Sequence, residues 1–123
     1  MVPYRGGRHP GAAADPITEG ANCQRYAYEV LELFGRRVPR HRSSELWLDP
    51  SAKTVAHGEV TPLDLVLFNR TAQPYGAHVG LYMAPDRILH LCAEIGIPAV
   101  WTWADFASRA RYAAFVGAKR YLP

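Results

Sequence analysis

The spacing of apolar residues changes part-way along the chain. In residues 23–34, apolar side chains recur at i, i+4, i+7, i+8 and i+11, which places on one helical stripe Cys23, Ala27, Val30, Leu31 and Phe34. Gly35 is suited to end this helix. A second, short helix is predicted over residues 43–49, with Ser43 as its N-cap and Pro50 after its end.

From residue 60 onward the pattern is typical of strands. Strands are predicted over residues 63–68, 77–83, 87–92, 99–103 and 113–122, with a short helix over residues 104–110. Helices followed by consecutive antiparallel strands predict an α+β fold. We expect one domain over residues 1–123, with an N-terminal loop (1–20), a helical part (21–49) and a mainly antiparallel sheet of about five strands (60–122).

The turn between residues 83 and 87 decides whether two histidines meet. A two-residue loop would point His78 and His90 to opposite faces of the hairpin, because side chains alternate along a strand. A three-residue loop over residues 84–86 would place Gly80 opposite His90, and both imidazoles would then be diagonal neighbours on one face. The spacing permits such a pair without requiring it.

Composition and length indicate one globular domain. The chain has 123 residues, of which 49% are hydrophobic and 20% are charged. No apolar run approaches the roughly 20 residues that span a bilayer, so no membrane partner is expected. The first residues contain no apolar signal-peptide core, which predicts a cytoplasmic protein if the chain is complete and leaves secretion open if it is a fragment of a longer precursor. The two cysteines cannot form a disulfide framework, and neither a metal nor a cofactor is expected.

A basic cluster follows the first predicted helix and consists of Arg36, Arg37, Arg40, His41 and Arg42. Such a cluster can bind an anionic polymer, or it can simply be a solvated surface. No aromatic residues are interleaved with it, as they would be in a protein that binds single strands. We therefore expect no nucleic-acid partner.

Cys23 is the candidate nucleophile. A thiol in the first turn of a helix lies at the positive end of the helix dipole, which favours the thiolate. An imidazole nearby can take its proton, as in cysteine hydrolases. The alternative is that Cys23 only fills the core, and the histidines are structural. Cys92 is interpreted as a buried strand residue.

Several segments together resemble the NlpC-type cell-wall cysteine peptidases, which have a compact papain-like fold. The similar segments are, in chain order, "PYRGG" (3–7), "NCQR" (22–25), "VPRHRSSELW" (38–47), "TPLDLVLFN" (61–69), "HVGLY" (78–82), "ILHLC" (88–92) and "FVGAKRYL" (115–122). These enzymes typically cut amide bonds in peptidoglycan stem peptides. The resemblance implies a papain-like fold with N-terminal helices packed on the antiparallel sheet.

The resemblance also implies a role for individual residues. Cys23 would be the nucleophile, His78 its base and His90 the third catalytic residue. The oxyanion would be bound by the backbone N–H of Cys23, with the Tyr4 hydroxyl as a second donor. Tyr4 can equally be an aromatic anchor for the N-terminal loop.

The chain departs from the family around the cysteine, where the usual Asp-Cys-Ser-Gly is replaced by Asn22, Cys23, Gln24 and Arg25. An amide at position 22 holds a substrate cation less well than a carboxylate does, whereas Arg25 can pair with a substrate carboxylate. Asn22, Gln24 and Arg25 are therefore the expected substrate-binding residues. The expected function is a cysteine hydrolase acting on a peptide or peptidoglycan fragment. A divergent acyltransferase or amidase and a non-catalytic binding module are the alternatives, and the oligomeric state is not predicted.

Overall fold

The structure is a computed structural model and describes residues 22–91 and 96–123. Its helices are α1 (Cys23–Leu33), α2 (Ser43–Leu48) and α3 (Trp103–Ala107), and two short 3-10 helices cover His57–Glu59 and Ala110–Tyr112. The strands are β1 (Lys53–Val55), β2 (Leu65–Asn69), β3 (His78–Tyr82), β4 (Ile88–Leu91), β5 (Pro98–Trp101) and β6 (Ala114–Arg120). No described helix is long and apolar enough to cross a membrane. Tyr4 and Cys92 lie outside the described residues.

The six strands form a single antiparallel sheet in the order β1-β6-β2-β3-β4-β5. The predicted α+β fold with helices on an antiparallel sheet is confirmed. The sheet has one strand more than expected, because β1 lies in residues 53–55, before the predicted sheet begins. This edge strand pairs with β6 and buries only Val55, so its sequence lacks an apolar alternation to reveal it.

The two faces of the sheet pack into different cores. The helix-side core joins α1 and α2 to β2 and β3 through Cys23, Ala27, Tyr28, Leu31, Leu46, Leu65, Leu67, Ala77, Val79 and Leu81. The aromatic core lies against the other face and contains Val66, Phe68, Ile88, Trp101, Phe106, Tyr112 and Ala118. Each core buries apolar side chains, which is the main favourable term in folding. Alternation along β2 and β3 assigns neighbouring residues to opposite cores.

The β3–β4 hairpin has the three-residue loop that the sequence left open. Leu81 pairs with Leu89, and the Met83 N–H donates to the Arg87 carbonyl over 2.7 Å. Continued through β3 and β4, this register places Gly80 opposite His90. A Cβ on Gly80 would lie 2.6 Å from Ile88 Cγ2, so the Ile88 side chain occupies the space that a side chain at position 80 would need.

Several predicted element ends differ from the structure by one to three residues, and two of them have a local cause. The N-cap of α2 is Arg42, not Ser43, because the Glu45 carboxylate accepts the Arg42 N–H over 2.9 Å and closes the first turn there. The fourth predicted strand, over residues 99–103, stops at Trp101, because Thr102 accepts the Asp105 N–H and starts α3. Gly35, by contrast, has φ +79° directly after the cap of α1, as expected.

Candidate active site

The two histidines of the hairpin are hydrogen-bonded to each other. His78 Nε2 and His90 Nδ1 are 3.0 Å apart, and the ring planes are nearly perpendicular, at 85°. His78 retains 7% of its exposure and His90 none. The shared face follows from the three-residue loop, which brings both imidazoles into the aromatic core.

Aromatic rings surround this histidine pair. The His90 ring centroid lies 4.2 Å from that of Trp101 and 4.8 Å from that of Phe106. The His78 ring lies 4.9 Å from that of Tyr112. The remaining His90 nitrogen, Nε2, is buried and has no hydrogen-bond partner among residues 22–91 and 96–123. An apolar environment of this kind disfavours a charged imidazole.

Both imidazoles accordingly have lowered pKa values. Burial lowers the pKa of His78 well below its usual range, and the charges of His90 and Arg111 lower it further. Burial also lowers the pKa of His90 to about 4; Arg109 acts in the same direction and Asp105 in the opposite one. Both histidines are therefore neutral at pH 7. The sequence favours a thiolate next to an imidazolium in the resting state. The lowered pKa values of both histidines do not support this expectation.

Two neutral imidazoles joined over 3.0 Å have one proton between them, which is bonded either to His78 Nε2 or to His90 Nδ1. The surroundings of His90 favour the proton on His78 Nε2. The unpartnered Nε2 of His90 lies among aromatic rings, whose negative faces favour an N–H over a lone pair. With that proton on Nε2, Nδ1 of His90 is an acceptor. His78 then donates through Nε2, and the lone pair on its Nδ1 is available for a proton.

Cys23 is the first residue of α1 and carries a buried thiol with 9% exposure. It packs in the helix-side core, whereas the imidazoles project from the opposite face of the sheet. Ala77, the residue directly before His78, belongs to the same core as Cys23. At the start of β3, Ala77 therefore lies in the core that contains the thiol, and the next side chain, His78, lies against the aromatic core.

The start of α1 is organised around Asn22. Its Oδ1 accepts the Arg25 N–H over 2.9 Å, so this side chain is the N-cap of the helix. Helical geometry leaves the N–H groups of Cys23 and Gln24 without a carbonyl partner in their own helix. The Cys23 N–H is thus placed in the first turn, as an oxyanion donor would need to be.

A hydrogen-bonded chain ties the start of α1 to the start of β3. Gln24 Nε2 donates to Ser43 Oγ over 2.7 Å, and Ser43 Oγ donates to the Ala77 carbonyl. Ser43 is almost fully buried, with 1% exposure. It thus connects the helix of the thiol with the strand of the base. Sequence reasoning assigned Ser43 to a helix cap and missed this role, which depends on a contact 34 residues away.

A cleft of about 440 Å³, partly open to solvent, adjoins this chain. Its described lining consists of Gln24, Arg42, Ser43, Ser44, Tyr75 and Gly76. Gln24 is next to Cys23 in sequence and Gly76 is two residues from His78, so the cleft borders both candidate catalytic segments. Tyr75 is 83% exposed at its rim.

The three predicted substrate-binding residues have different positions. Gln24 lines this cleft, and the Asn22 side chain is engaged as a helix cap. Arg25 is buried to 3% exposure and lines a different cavity, beside Glu29 and Glu32. Binding of substrate by any of the three stays a prediction.

The basic cluster has partly structural contacts. Arg36 donates to the Tyr121 carbonyl over 3.1 Å, and His41 contacts Asp49 over 2.9 Å. Arg42 lines the cleft beside Ser43. No group of three or more potential metal ligands occurs among residues 22–91 and 96–123.

Among solved structures, an NlpC/P60 family protein from Bacillus cereus ATCC 10987 is similar to this chain, with a TM-score of 0.73 and 18% sequence identity. The fold is NlpC/P60-like. The match covers 99% of this chain and 36% of the other protein, so this chain spans little more than a third of that relative. No protein-family model and no curated protein matches the sequence. Likeness at this identity concerns the fold alone.

Proposed function

We propose that the protein is a cysteine hydrolase that cleaves an amide bond with Cys23, His78 and His90. The observation that carries the proposal is the buried 3.0 Å hydrogen bond between His78 and His90. It aligns one imidazole with a second, on an NlpC/P60-like scaffold whose first described helix begins with a cysteine. Two buried histidines on adjacent strands need no such contact for packing alone.

In the proposed reaction, the Cys23 sulfur attacks the amide carbonyl carbon while its proton passes to His78 Nδ1. The resulting imidazolium donates through Nε2 to neutral His90, which holds the ring in place. The Cys23 N–H binds the oxyanion, with Tyr4 as the predicted second donor. His78 then protonates the departing amine, and water, deprotonated by the same nitrogen, releases the acid from the thioester.

The lowered pKa of His78 has a consequence for this sequence of steps. The His78 imidazole is neutral in the resting state, because an imidazolium is disfavoured in the aromatic core. Proton transfer therefore accompanies the attack on the carbonyl and does not precede substrate binding. The oxyanion then provides the charge that compensates for the imidazolium.

The cleft beside Cys23 suits a polar peptide segment. Its described lining supplies amide, hydroxyl and guanidinium groups from Gln24, Ser44 and Arg42, and an aromatic face from Tyr75. The Asn22 amide is engaged with the helix and carries no charge to hold an ammonium group. We propose a peptide with neutral or anionic groups near the scissile bond, including fragments of peptidoglycan stem peptides.

The direct test is to incubate the purified protein with peptidoglycan fragments and with a simple thioester, and to follow consumption and acyl-enzyme formation by mass spectrometry. Cys23→Ala should abolish turnover while the circular dichroism spectrum is unchanged. His78→Ala should cost about 10²–10⁴ in kcat, the usual contribution of general acid–base catalysis, and His90→Ala should cost less. Turnover by the Cys23→Ala variant would exclude the mechanism.

Thiol reactivity supplies a test that needs no substrate. Iodoacetamide should label Cys23 faster than Cys92 near neutral pH, because His78 can take the thiol proton while the sulfur is alkylated, and His78→Ala should slow only the labelling of Cys23. Equal labelling of both cysteines would contradict an activated thiol.

The burial of Cys23, at 9% exposure, favours a second candidate, a binding module on the same scaffold. This module would bind a peptide in the cleft without forming a thioester. Binding measured by calorimetry, with no acyl adduct on Cys23 after incubation with an activated ester, would favour it. An acyltransferase would form the adduct and pass it to an added amine instead of to water.

A further inference from the structure

Arg109 and Trp101 extend the histidine pair into a longer row of contacts. The Arg109 guanidinium carbon lies 4.0 Å from the centroid of the Trp101 ring, in cation–π geometry. The Trp101 ring in turn lies 4.2 Å from that of His90, which contacts His78. The Arg109 Nη1 group also donates to the Asp105 carbonyl over 2.9 Å, which fixes the guanidinium in this position.

We propose that Arg109, stacked on Trp101, is a positioning residue that extends to lower pH the range in which His90 is uncharged, so that His90 Nδ1 stays an acceptor for His78 over that range. The role rests on the proposed function, since it concerns the same histidine pair. Arg109 contacts Trp101, and its charge acts on His90. Its effect on the reaction is therefore exerted through His90.

The chemical reason lies in the tautomer of His78. If His90 were protonated, both of its nitrogens would carry protons, and Nδ1 would donate to His78 Nε2. Neutral His78 would then carry its own proton on Nδ1, and the lone pair that is to accept the thiol proton would be lost. Protonation of His90 thus removes the basic lone pair of His78 without changing the charge of His78 itself.

Three charged groups outside the pair act on it. Arg109 opposes a positive charge on His90, and Asp105, on α3, favours one. Within the pair, His90 opposes a positive charge on His78. Arg111 lies 5.7 Å from the centroid of the Tyr112 ring, which contacts His78, and it acts on His78. Arg111 is therefore a matched control, because it carries the same charge two residues away and acts on the other imidazole.

The test is ¹⁵N NMR of the histidine side chains between pH 3.5 and 8 in the wild type and three variants. In the wild type, His90 should be neutral at pH 7 with its proton on Nε2. Arg109→Gln should raise the pKa of His90 by about one unit, as expected for loss of one partly screened charge. Arg109→Lys should retain the wild-type value, and Arg111→Gln should move the titration of His78 more than that of His90.

Kinetics supplies the second measurement. The acid limb of kcat/KM should move to higher pH by the same amount in Arg109→Gln, and Arg109→Lys should restore it. A wild-type His90 that is charged at pH 7, or that carries its proton on Nδ1, would overturn the proposal even if no variant folds. Equal effects of Lys and Gln at position 109 would overturn it as well, because the charge would then be irrelevant. If wild-type His90 is neutral with its proton on Nε2 but the protein turns over no substrate, the proposed hydrolase activity is refuted and the proposed role of Arg109 is not.

Discussion

Lowering the pH from 7 to 4 should destabilise the protein through its buried imidazoles. The pKa of His90 is lowered from 6.5 to about 4 in the folded protein. Above pH 6.5 neither the folded nor the unfolded state binds a proton at this residue. Between pH 6.5 and 4 only the unfolded state does, so the free energy of unfolding falls as the pH falls, and below about 4 the loss levels off.

The magnitude follows from the size of the shift. Two and a half pKa units at about 1.4 kcal/mol each give about 3 kcal/mol of stability lost between pH 6.5 and 4 from His90. His78 adds to this loss, since its pKa is lowered by burial too. For a domain of this size, a loss of this order is a large part of the total free energy of unfolding.

Urea unfolding at pH 7, 6, 5 and 4, followed by fluorescence of the three tryptophans, measures this loss. Carboxylates also titrate near pH 4, so His90→Gln is the necessary reference: it retains a polar side chain and removes the titrating group. The wild type should lose about 3 kcal/mol more than His90→Gln over this range. Parallel losses in the two proteins would show that His90 is not held neutral by the fold.

Two substitutions test the structural supports of the site. Gly80→Ala should lower the free energy of unfolding by about 1–3 kcal/mol, because the new Cβ would lie 2.6 Å from Ile88 Cγ2. It should also shift the histidine resonances. The control Gly58→Ala, whose Cβ would have no atom within 4 Å, should change neither stability nor these resonances. Ser43→Ala should cost about 1–3 kcal/mol, because it leaves its buried partners without the hydroxyl, whereas Ser44→Ala should be nearly neutral. Chemical denaturation and proton NMR check both pairs, and equal effects of a variant and its control would contradict the assigned contacts.

The sequence predicts the elements of this fold better than their tertiary contacts. Alternation in residues 77–83 suffices to predict β3, but the face shared by His78 and His90 depends on the loop length. That loop is held by a distant group, since Asp86 Oδ1 accepts the Trp103 N–H over 2.7 Å. No local pattern in residues 83–87 contains this information.

The environment of each candidate residue was also beyond the sequence. The helical stripe correctly turns Cys23 inward, yet it does not tell which core receives it. The lowered pKa values arise from Trp101, Phe106 and Tyr112, which come from segments that follow the hairpin. Periodicity predicts that these aromatic residues are buried, and only the folded sheet shows that they enclose the imidazoles.

The positions of the thiol and the base depend on separate parts of the structure. The hydrogen bonds through Ser43 connect the helix of Cys23 to the start of β3 on the helix-side core, whereas Arg109 and Trp101 act on His90 from the aromatic core. Supports that share no contact should affect the reaction independently. In a Ser43→Ala, Arg109→Gln double variant, the losses in kcat/KM measured on the acid limb should therefore multiply. A loss in the double variant smaller than the product of the two single losses would mean that both substitutions disturb one common element. Ser43 would then not act on the thiol separately from the effect of Arg109 on the His90 tautomer.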